Sequence, residues 1–294
     1  MLDRAARALY RRLWPTARNA LRTWLVLEAR DRMPQPIEQF AERCVLVIAP
    51  HSDDDVIGCG GVMARHVAAG AEVHTAVMTD GRWGDGRLYS RELPAAERQR
   101  LQDELVATRE REACSAAAVL GTRGVHFLGR VDGALRPDRQ AVDAVRTLLQ
   151  HLRPELVYLP FVYDLHEDHW QTNRVFAEAA QALDLSAARR LRVRGYEVWT
   201  PLPANRVADI GSVMGLKRAA LAEFRSQLGD QDYLRLVEGL NAYRSGGPFG
   251  GRGYAEAFHE TSLPAYLRLV RAATLRGGSA PAVSAPEVVV EAGR

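Results

Sequence analysis

Apolar and polar positions divide the chain into short apolar runs separated by longer amphipathic stretches. Residues 44–49 (Cys-Val-Leu-Val-Ile-Ala) form an unbroken apolar run of strand length, the pattern of a strand buried on both faces. Residues 72–78, 125–128 and 156–160 read as further strands, and residues 193–200 and 254–258 predict two more, the last at a sheet edge. Helical segments are expected from a glycine-rich turn (Gly58, Gly60, Gly61) to about residue 69, then over 95–120, 139–152, from His166–His169 to about 183, 215–227 and 232–243. This β-α-β alternation predicts an α/β fold: a Rossmann-like, doubly wound, mostly parallel sheet with helices on both faces. Ligands of such sheets sit beyond the carboxyl ends of the strands. The segments after residues 49, 78 and 160 are therefore where chemistry is expected.

Three regions are expected: a basic amphipathic helical arm over residues 1–40, one enzyme-sized domain over 41–276, and a flexible Gly/Ser/Ala/Pro-rich tail over 277–294. Within the arm, Leu2, Ala6, Leu9 and Leu13 share one helical face, Pro15 breaks the pattern, and Ala17, Leu21, Trp24 and Leu25 form a second face. Seven arginines oppose only Asp3 and Glu28 in the first thirty residues. Two readings of residues 1–32 stay open: a packing or oligomer arm, and a peripheral contact with a membrane surface. Oligomeric state is not readable from the sequence.

Composition narrows the classes. With 294 residues, 47% hydrophobic and 26% charged, the chain falls in the ordinary range for a soluble globular protein with a substantial core. The net charge of +3 is too mild, and too little interleaved with aromatics, to predict nucleic-acid binding. Lys217 is the single lysine, so arginine is this chain's default cation and its abundance carries no functional weight. Cys44, Cys59 and Cys114 are too far apart for a CxxC site or a disulfide framework and read as buried free thiols. No apolar run is long enough for a signal peptide or a membrane span, which predicts a cytoplasmic protein, with the inner membrane face as the alternative if the arm touches lipid.

Two clusters carry the candidate chemistry. His51, Asp53, Asp54 and Asp55 fall within five residues at the mouth of the first apolar strand. Three adjacent carboxylates repel one another, so a cation is expected among them, and a divalent metal is the natural one. His-x-x-Asp offers an imidazole nitrogen and a carboxylate oxygen, a mixture zinc accepts. The second cluster, His166-Glu167-Asp168-His169, follows the strand ending at Pro160, at the same predicted sheet edge. The two clusters can therefore meet on one ion. By contrast His66, His74, His126, His151 and His259 each stand alone and read as ordinary core or surface residues. The segment Gly58-Cys-Gly60-Gly61 lacks the third glycine of a dinucleotide fingerprint and follows three acids that would repel a pyrophosphate. No GxSxG elbow is present, leaving water as the nucleophile.

These motifs resemble the PIG-L/LmbE-like family of zinc-dependent N-deacetylases over about residues 44–260. The run from Ala49 to Gly61 is similar to the family's (A)HPDDE…GG signature, and His166-x-Asp168-His169 is the second match. Arg109-x-x-Glu112, Leu120-Gly121, Asp132-Gly133, Lys217, Ser226-Gln227 and residues 254–258 agree more weakly. The resemblance implies one Zn2+ per chain held by His51, Asp54 and His169, with Asp53 as general base on zinc-bound water. It implies His166 as oxyanion stabiliser or acid, and Asp168 as the group that orients a neighbouring histidine. Ser52 and Asp55 depart from the usual proline and glutamate, which puts in doubt the contact that glutamate makes. Arg109 reads equally as a substrate contact or as an i,i+3 partner of Glu112. Asp80 and Arg82 are weaker substrate-binding candidates, and Trp83 either stacks on a sugar or packs against its own loop.

The resemblance thus implies hydrolysis of an N-acyl group, N-acetyl above all, from an amino sugar: an N-acetylglucosaminyl small molecule, lipid-linked glycan or polysaccharide. Two rivals stand beside it: a zinc amidase acting on another conjugate such as a thiol glycoside, and a non-catalytic binding protein on the same fold.

Overall fold

The computed structural model describes residues 33–274 apart from residue 230. Helical and strand segments alternate as β1 (Gln35–Pro36), β2 (Cys44–Ala49), α1 (Asp54–Ala68), β3 (Glu72–Thr79), α2 (Ala95–Leu120), β4 (Gly124–Arg130), α3 (Arg139–Leu152), β5 (Leu156–Pro160), α4 (Glu167–Ala180), α5 (Leu185–Arg190), β6 (Arg192–Tyr196), β7 (Arg206–Asp209), α6 (Met214–Leu221), α7 (Tyr233–Arg244), β8 (Ala255–Ser262) and α8 (Leu263–Thr274). The strands form one sheet in the order β1-β7-β8-β6-β5-β2-β3-β4. All pairings are parallel except those of β8 with β6 and β7. The expected mostly parallel α/β sheet is therefore present.

Side-chain alternation along β2 explains the two layers. Successive residues of a strand point to opposite faces. Leu46 and Ile48 join Val145, Leu149, Val175, Phe176 and Val270 on one side, while Val45 and Val47 join Val62, Met63, Ala113, Ala116 and Leu221 on the other. Both faces of β2 are thus dry, as its unbroken apolar run requires.

From β2 the chain moves through β3 to β4 on one side, then crosses back to place β5 on the other side of β2 and β6 beyond it. This reversal opens a crevice between the carboxyl ends of β2 and β5, the place where doubly wound sheets bind ligands.

Several expectations need correcting. The segment at 254–258 is not an edge strand: β8 runs to Ser262 and lies inside the sheet between β6 and β7, closing the core with Phe258. The strand expected over 193–200 stops at Tyr196. The helix expected over 215–227 stops at Leu221, and the Ser226 N–H is instead taken by the Glu112 carboxylate. The short strands β1 and β7 give no distinctive apolar run. Residues 1–32 and 275–294, where most of the arm and the tail fall, lie outside the described residues. The end of the expected helical arm is extended instead, with β1 pairing with β7. Cys59 is buried, but Cys44 is only half-buried and Cys114 is exposed on α2, against the expectation of three buried thiols. Among the described residues no helix is long and apolar enough to cross a membrane.

Candidate functional site

The loop after β2 turns sharply into α1, and its three carboxylates separate at once. Asp53 faces Arg109, with 3.1 Å between Oδ1 and Nη2. Asp54 turns its Oδ2 to His51, accepting from the backbone N–H at 2.9 Å and lying 3.0 Å from Nδ1. Asp55 points inward, accepting from Thr75 Oγ1 at 2.9 Å. The repulsion expected of three neighbouring acids is thus relieved by divergence, and only Asp54 faces the histidine cluster. The shorter Asp55 thus makes a buried hydrogen bond to β3 and also accepts the Val56 N–H at 2.8 Å. Burial pushes the Asp55 carboxyl up to about 7.

The loop after β5 brings the second cluster to the same crevice. His166 caps α4 by accepting the Asp168 N–H on Nδ1 at 3.2 Å. One turn on, the fully buried His169 places Nε2 3.2 Å from Asp54 Oδ2 and Nδ1 3.1 Å from Asp164 Oδ1. Ring centroids lie 4.7 Å apart for His51 and His166, 5.5 Å for His51 and His169, and 5.0 Å for His166 and His169. Two segments more than a hundred residues apart therefore converge.

Electrostatics sort these groups. Burial disfavours the Asp54 anion, but His169 and His51 outweigh it and hold the carboxyl well below its usual range. Burial also opposes charge on both histidines. Asp132, Asp168 and Asp54 nevertheless raise His51 well above its ordinary value, and Asp54 with Asp164 raise His169 to about 9. Asp53 moves the other way from Asp54: burial raises it, Arg109 opposes the rise and Asp54 adds to it. Burial, with His51 and His169 nearby, lowers His166 and leaves it neutral.

The donor set fits a divalent ion. Both ring nitrogens of His169 are buried and make no hydrogen bond, although each stands close to a carboxylate oxygen. A buried polar atom without a partner is costly, and a cation beside Nε2 would remove that cost. Two imidazoles and one carboxylate form a ligand mixture typical of catalytic zinc. The ligand atoms of His51, His166 and His169 also lie within 4.8 Å of one another, as do those of His51, Asp132 and Asp168. His166 and the two aspartates are therefore close enough to share or support such a site.

Two carboxylates in this surround went unassigned in the sequence. Asp132, in the loop after β4, places Oδ1 3.2 Å from His51 Nε2 and accepts the Trp83 N–H on Oδ2 at 3.1 Å. Asp164 touches His169 with one oxygen and accepts the Trp199 N–H on the other at 3.0 Å. Each follows a strand at the ligand-binding edge, and Asp132 also stood in the weak Asp132-Gly133 match. Asp168 accepts the Gly133 N–H at 2.7 Å and lies 3.6 Å from His51 Nε2.

Arg109 is not an i,i+3 partner of Glu112 on a solvated face. It is buried and donates to Ser52 Oγ at 3.0 Å and to Gln227 Oε1 at 3.0 Å as well as to Asp53. Glu112 instead takes Ser226 Oγ at 2.6 Å. Asp80 and Arg82 pair with each other at 2.6 Å, and Asp80 accepts the Asp132 N–H. Neither side chain reaches the cavity, because their charges are spent on that loop.

The cavity above the cluster holds about 560 Å³. Its floor carries His51, Asp53, Asp54, Arg109, Asp132 and His166, and its walls carry Trp83, Tyr89, Trp199 and Tyr233.

Beneath the cluster, α1 is broken at Cys59 (φ −147°, ψ 19°). Glu256 of β8 accepts the freed N–H groups of Gly61 and Val62 at 2.8 Å each. Lys217 donates to the Ile57 carbonyl at 2.9 Å, to Asn241 at 3.0 Å and to Glu256 at 2.6 Å. A fully buried ion pair thus splices the two halves of the helix that presents Asp54. The glycines serve close packing here: a Cβ on Gly58 would lie 2.2 Å from the Tyr196 ring, and one on Gly61 would lie 2.6 Å from Ile210.

Fold and site together define a doubly wound α/β protein with a candidate His/Asp metal centre at the switch point of its sheet. Residues 46–180 match the PIG-L family, described as GlcNAc-PI de-N-acetylase. Over this segment the chain is similar to the PIG-L/LmbE-like deacetylases. It is 28% identical to diacetylchitobiose deacetylase of Thermococcus kodakarensis, over 66% of this chain and 75% of that protein. It is also 28% identical to 1D-myo-inositol 2-acetamido-2-deoxy-alpha-D-glucopyranoside deacetylase 1 of Catenulispora acidiphila, covering 63% of each chain. Among solved structures, the N,N'-diacetylchitobiose deacetylase of Pyrococcus horikoshii, complexed with its inhibitor MPG, superposes with a TM-score of 0.65. That pair is 25% identical over 77% of this chain and 86% of the other.

Proposed function

We propose that this protein hydrolyses the acetamide of an N-acetylglucosaminyl compound, releasing acetate and the free amino sugar. The observation that carries the reading is the meeting of His51, Asp54 and the buried His169 around one carboxylate oxygen, with Asp53 lining the same cavity as His51 and Asp54. Relatives named as deacetylases of acetamido sugars support it.

His51, Asp54 and His169 would hold one divalent ion, with zinc preferred for its acceptance of mixed nitrogen and oxygen ligands. Bound there, it supplies Lewis acidity that polarises the amide carbonyl and makes water a stronger nucleophile at neutral pH. Asp53 accepts the proton of the attacking water, a task suited to a carboxylate whose proton affinity burial has raised. Arg109 donates to that carboxylate and is itself held by Ser52 Oγ. His166, neutral and accepting the Asp168 N–H on Nδ1, carries its proton on Nε2, where it donates to the oxygen that gains charge as the carbonyl is attacked. Asp53 then passes its proton to the amide nitrogen as the C–N bond breaks.

The test is acetate release and metal content measured together. Asp53→Asn keeps the metal and loses about 10² to 10⁴ in turnover, whereas His169→Ala loses both metal and turnover. Equal metal loss in the two variants contradicts the base assignment.

A further inference from the structure

The two tryptophans of the cavity are mounted in the same way on opposite sides of the metal cluster. Trp83 lies in the loop after β3 and Trp199 in the loop after β6, while the cluster rises from β2 and β5, which lie between β3 and β6 in the sheet. Each tryptophan hangs by its backbone N–H from a carboxylate whose other oxygen touches a cluster histidine. Asp132 spans Trp83 and His51, with contacts of 3.1 and 3.2 Å. Asp164 spans Trp199 and His169, with contacts of 3.0 and 3.1 Å. Each indole has a tyrosine beside it: Trp83 and Tyr89 have ring centroids 5.6 Å apart, and Trp199 and Tyr233 6.1 Å apart. All four rings line the cavity beside its charged groups, with Trp199 42% and Tyr89 58% exposed and Trp83 and Tyr233 half-buried. A single exposed aromatic is commonplace, but two pairs walling one cavity are not.

We infer that Trp83 and Trp199 form two sugar-stacking walls held in register with the metal cluster by Asp132 and Asp164, and that the cleft takes an acetamido sugar joined to further pyranose rings. The inference rests on the deacetylase reading and narrows its substrate class to a short oligosaccharide rather than a lone monosaccharide. A pyranose ring presents a flat C–H face that an indole covers well, while its hydroxyls keep the edges polar. Asp132 and Asp164 are positioning residues in this scheme, because they act through the histidine and the tryptophan they join.

The test separates binding from chemistry. Zinc-loaded Asp53→Asn protein is titrated calorimetrically with N-acetylglucosamine, N,N'-diacetylchitobiose, N,N',N''-triacetylchitotriose and phenyl N-acetylglucosaminide. Affinity is expected to rise roughly three- to tenfold per added sugar ring. Trp83→Ala and Trp199→Ala should each delete part of that gain, Phe at either position should restore most of it, and metal content should not change. Equal affinity for the mono- and trisaccharide, or an unaltered gain in both alanine variants, overturns the proposal. A gain from the phenyl group without one from a second sugar overturns the saccharide assignment. Acetate release by the wild-type protein is scored separately. Release that is indifferent to chain length leaves the deacetylase standing without its subsites, and length-dependent binding with no release keeps the subsites and removes the hydrolysis.

Discussion

Asp53 and Asp54 are neighbours in the chain, and their surroundings push their protons in opposite directions. Asp54 stays ionised because His51 and His169 face it. Asp53 holds a proton more readily because it is buried, with Arg109 limiting the rise. A base must be ionised to work, so activity should fall as pH drops through a value above the ordinary 3.8 of an aspartate. Removing the guanidinium takes away a cation that favours the charged form. Arg109→Gln should therefore move the acidic limb of the kcat/KM profile upward. A limb that stays in place would show that Arg109 does not act on the base. Among single residues, His51, Asp53, Asp54, His166 and His169 were legible in the sequence, because histidines and acids crowded at strand ends are costly unless a cation holds them. Asp164 was not, since single acids after strands are common and its partners come from other loops, and Asp132 showed only in the weak Asp132-Gly133 match, with no role attached. Nor could the sequence reveal that Arg109 is spent on Asp53, Ser52 and Gln227.

Among the elements, α1 carries the largest departure from regular structure. Its break at Cys59 leaves N–H and C=O groups that a buried helix cannot leave unpaired, and Glu256 and Lys217 satisfy them from β8 and α6. Breaking one half of a buried ion pair leaves the other half uncompensated. Glu256→Gln should lower unfolding free energy by about 3–5 kcal/mol, while adding Lys217→Met to it should cost less than the sum of the two single changes, as measured by urea denaturation. Additivity would mean that the pair is not coupled. Apolar runs made β2 and β5 readable in the sequence, length did the same for α2, and periodicity for α3. The place of β8 was misread because Glu256 and Glu260 give it the polar content of an edge strand, whereas they pair with Lys217 and with Arg194 and Arg206. Strands β1 and β7 were missed because two to four residues give no period to detect. The glycines at 58, 60 and 61 were read as a tight turn behind the ligands, whereas they allow Tyr196, Ile210 and Lys217 to pack against a helix.

For the whole molecule, the proposed ligation would set proton and metal in competition for the same two imidazoles. Without metal, His51 and His169 hold protons well above their ordinary range, His169 up to about 9. A value of about 9 against 6.5 for the free side chain makes the His169 contribution to stability fully present below pH 6.5 and lost as pH rises through 9. The melting temperature of metal-free protein should therefore decline over that window. A ligated imidazole carries no such proton, so the rise in melting temperature on adding metal should grow over the same window. Scanning calorimetry of both forms at several pH values checks this, and parallel curves would contradict it.

In the proposed reaction, acetate release depends on one divalent ion gripped by two loops that lie far apart in the chain. Chelator-stripped protein titrated with Zn2+, while acetate release from N,N'-diacetylchitobiose is followed, puts that dependence to the test. No release is expected at the start, then a linear increase that saturates at one equivalent per chain. Full release before any zinc is added, or a rise continuing to two equivalents, would contradict it.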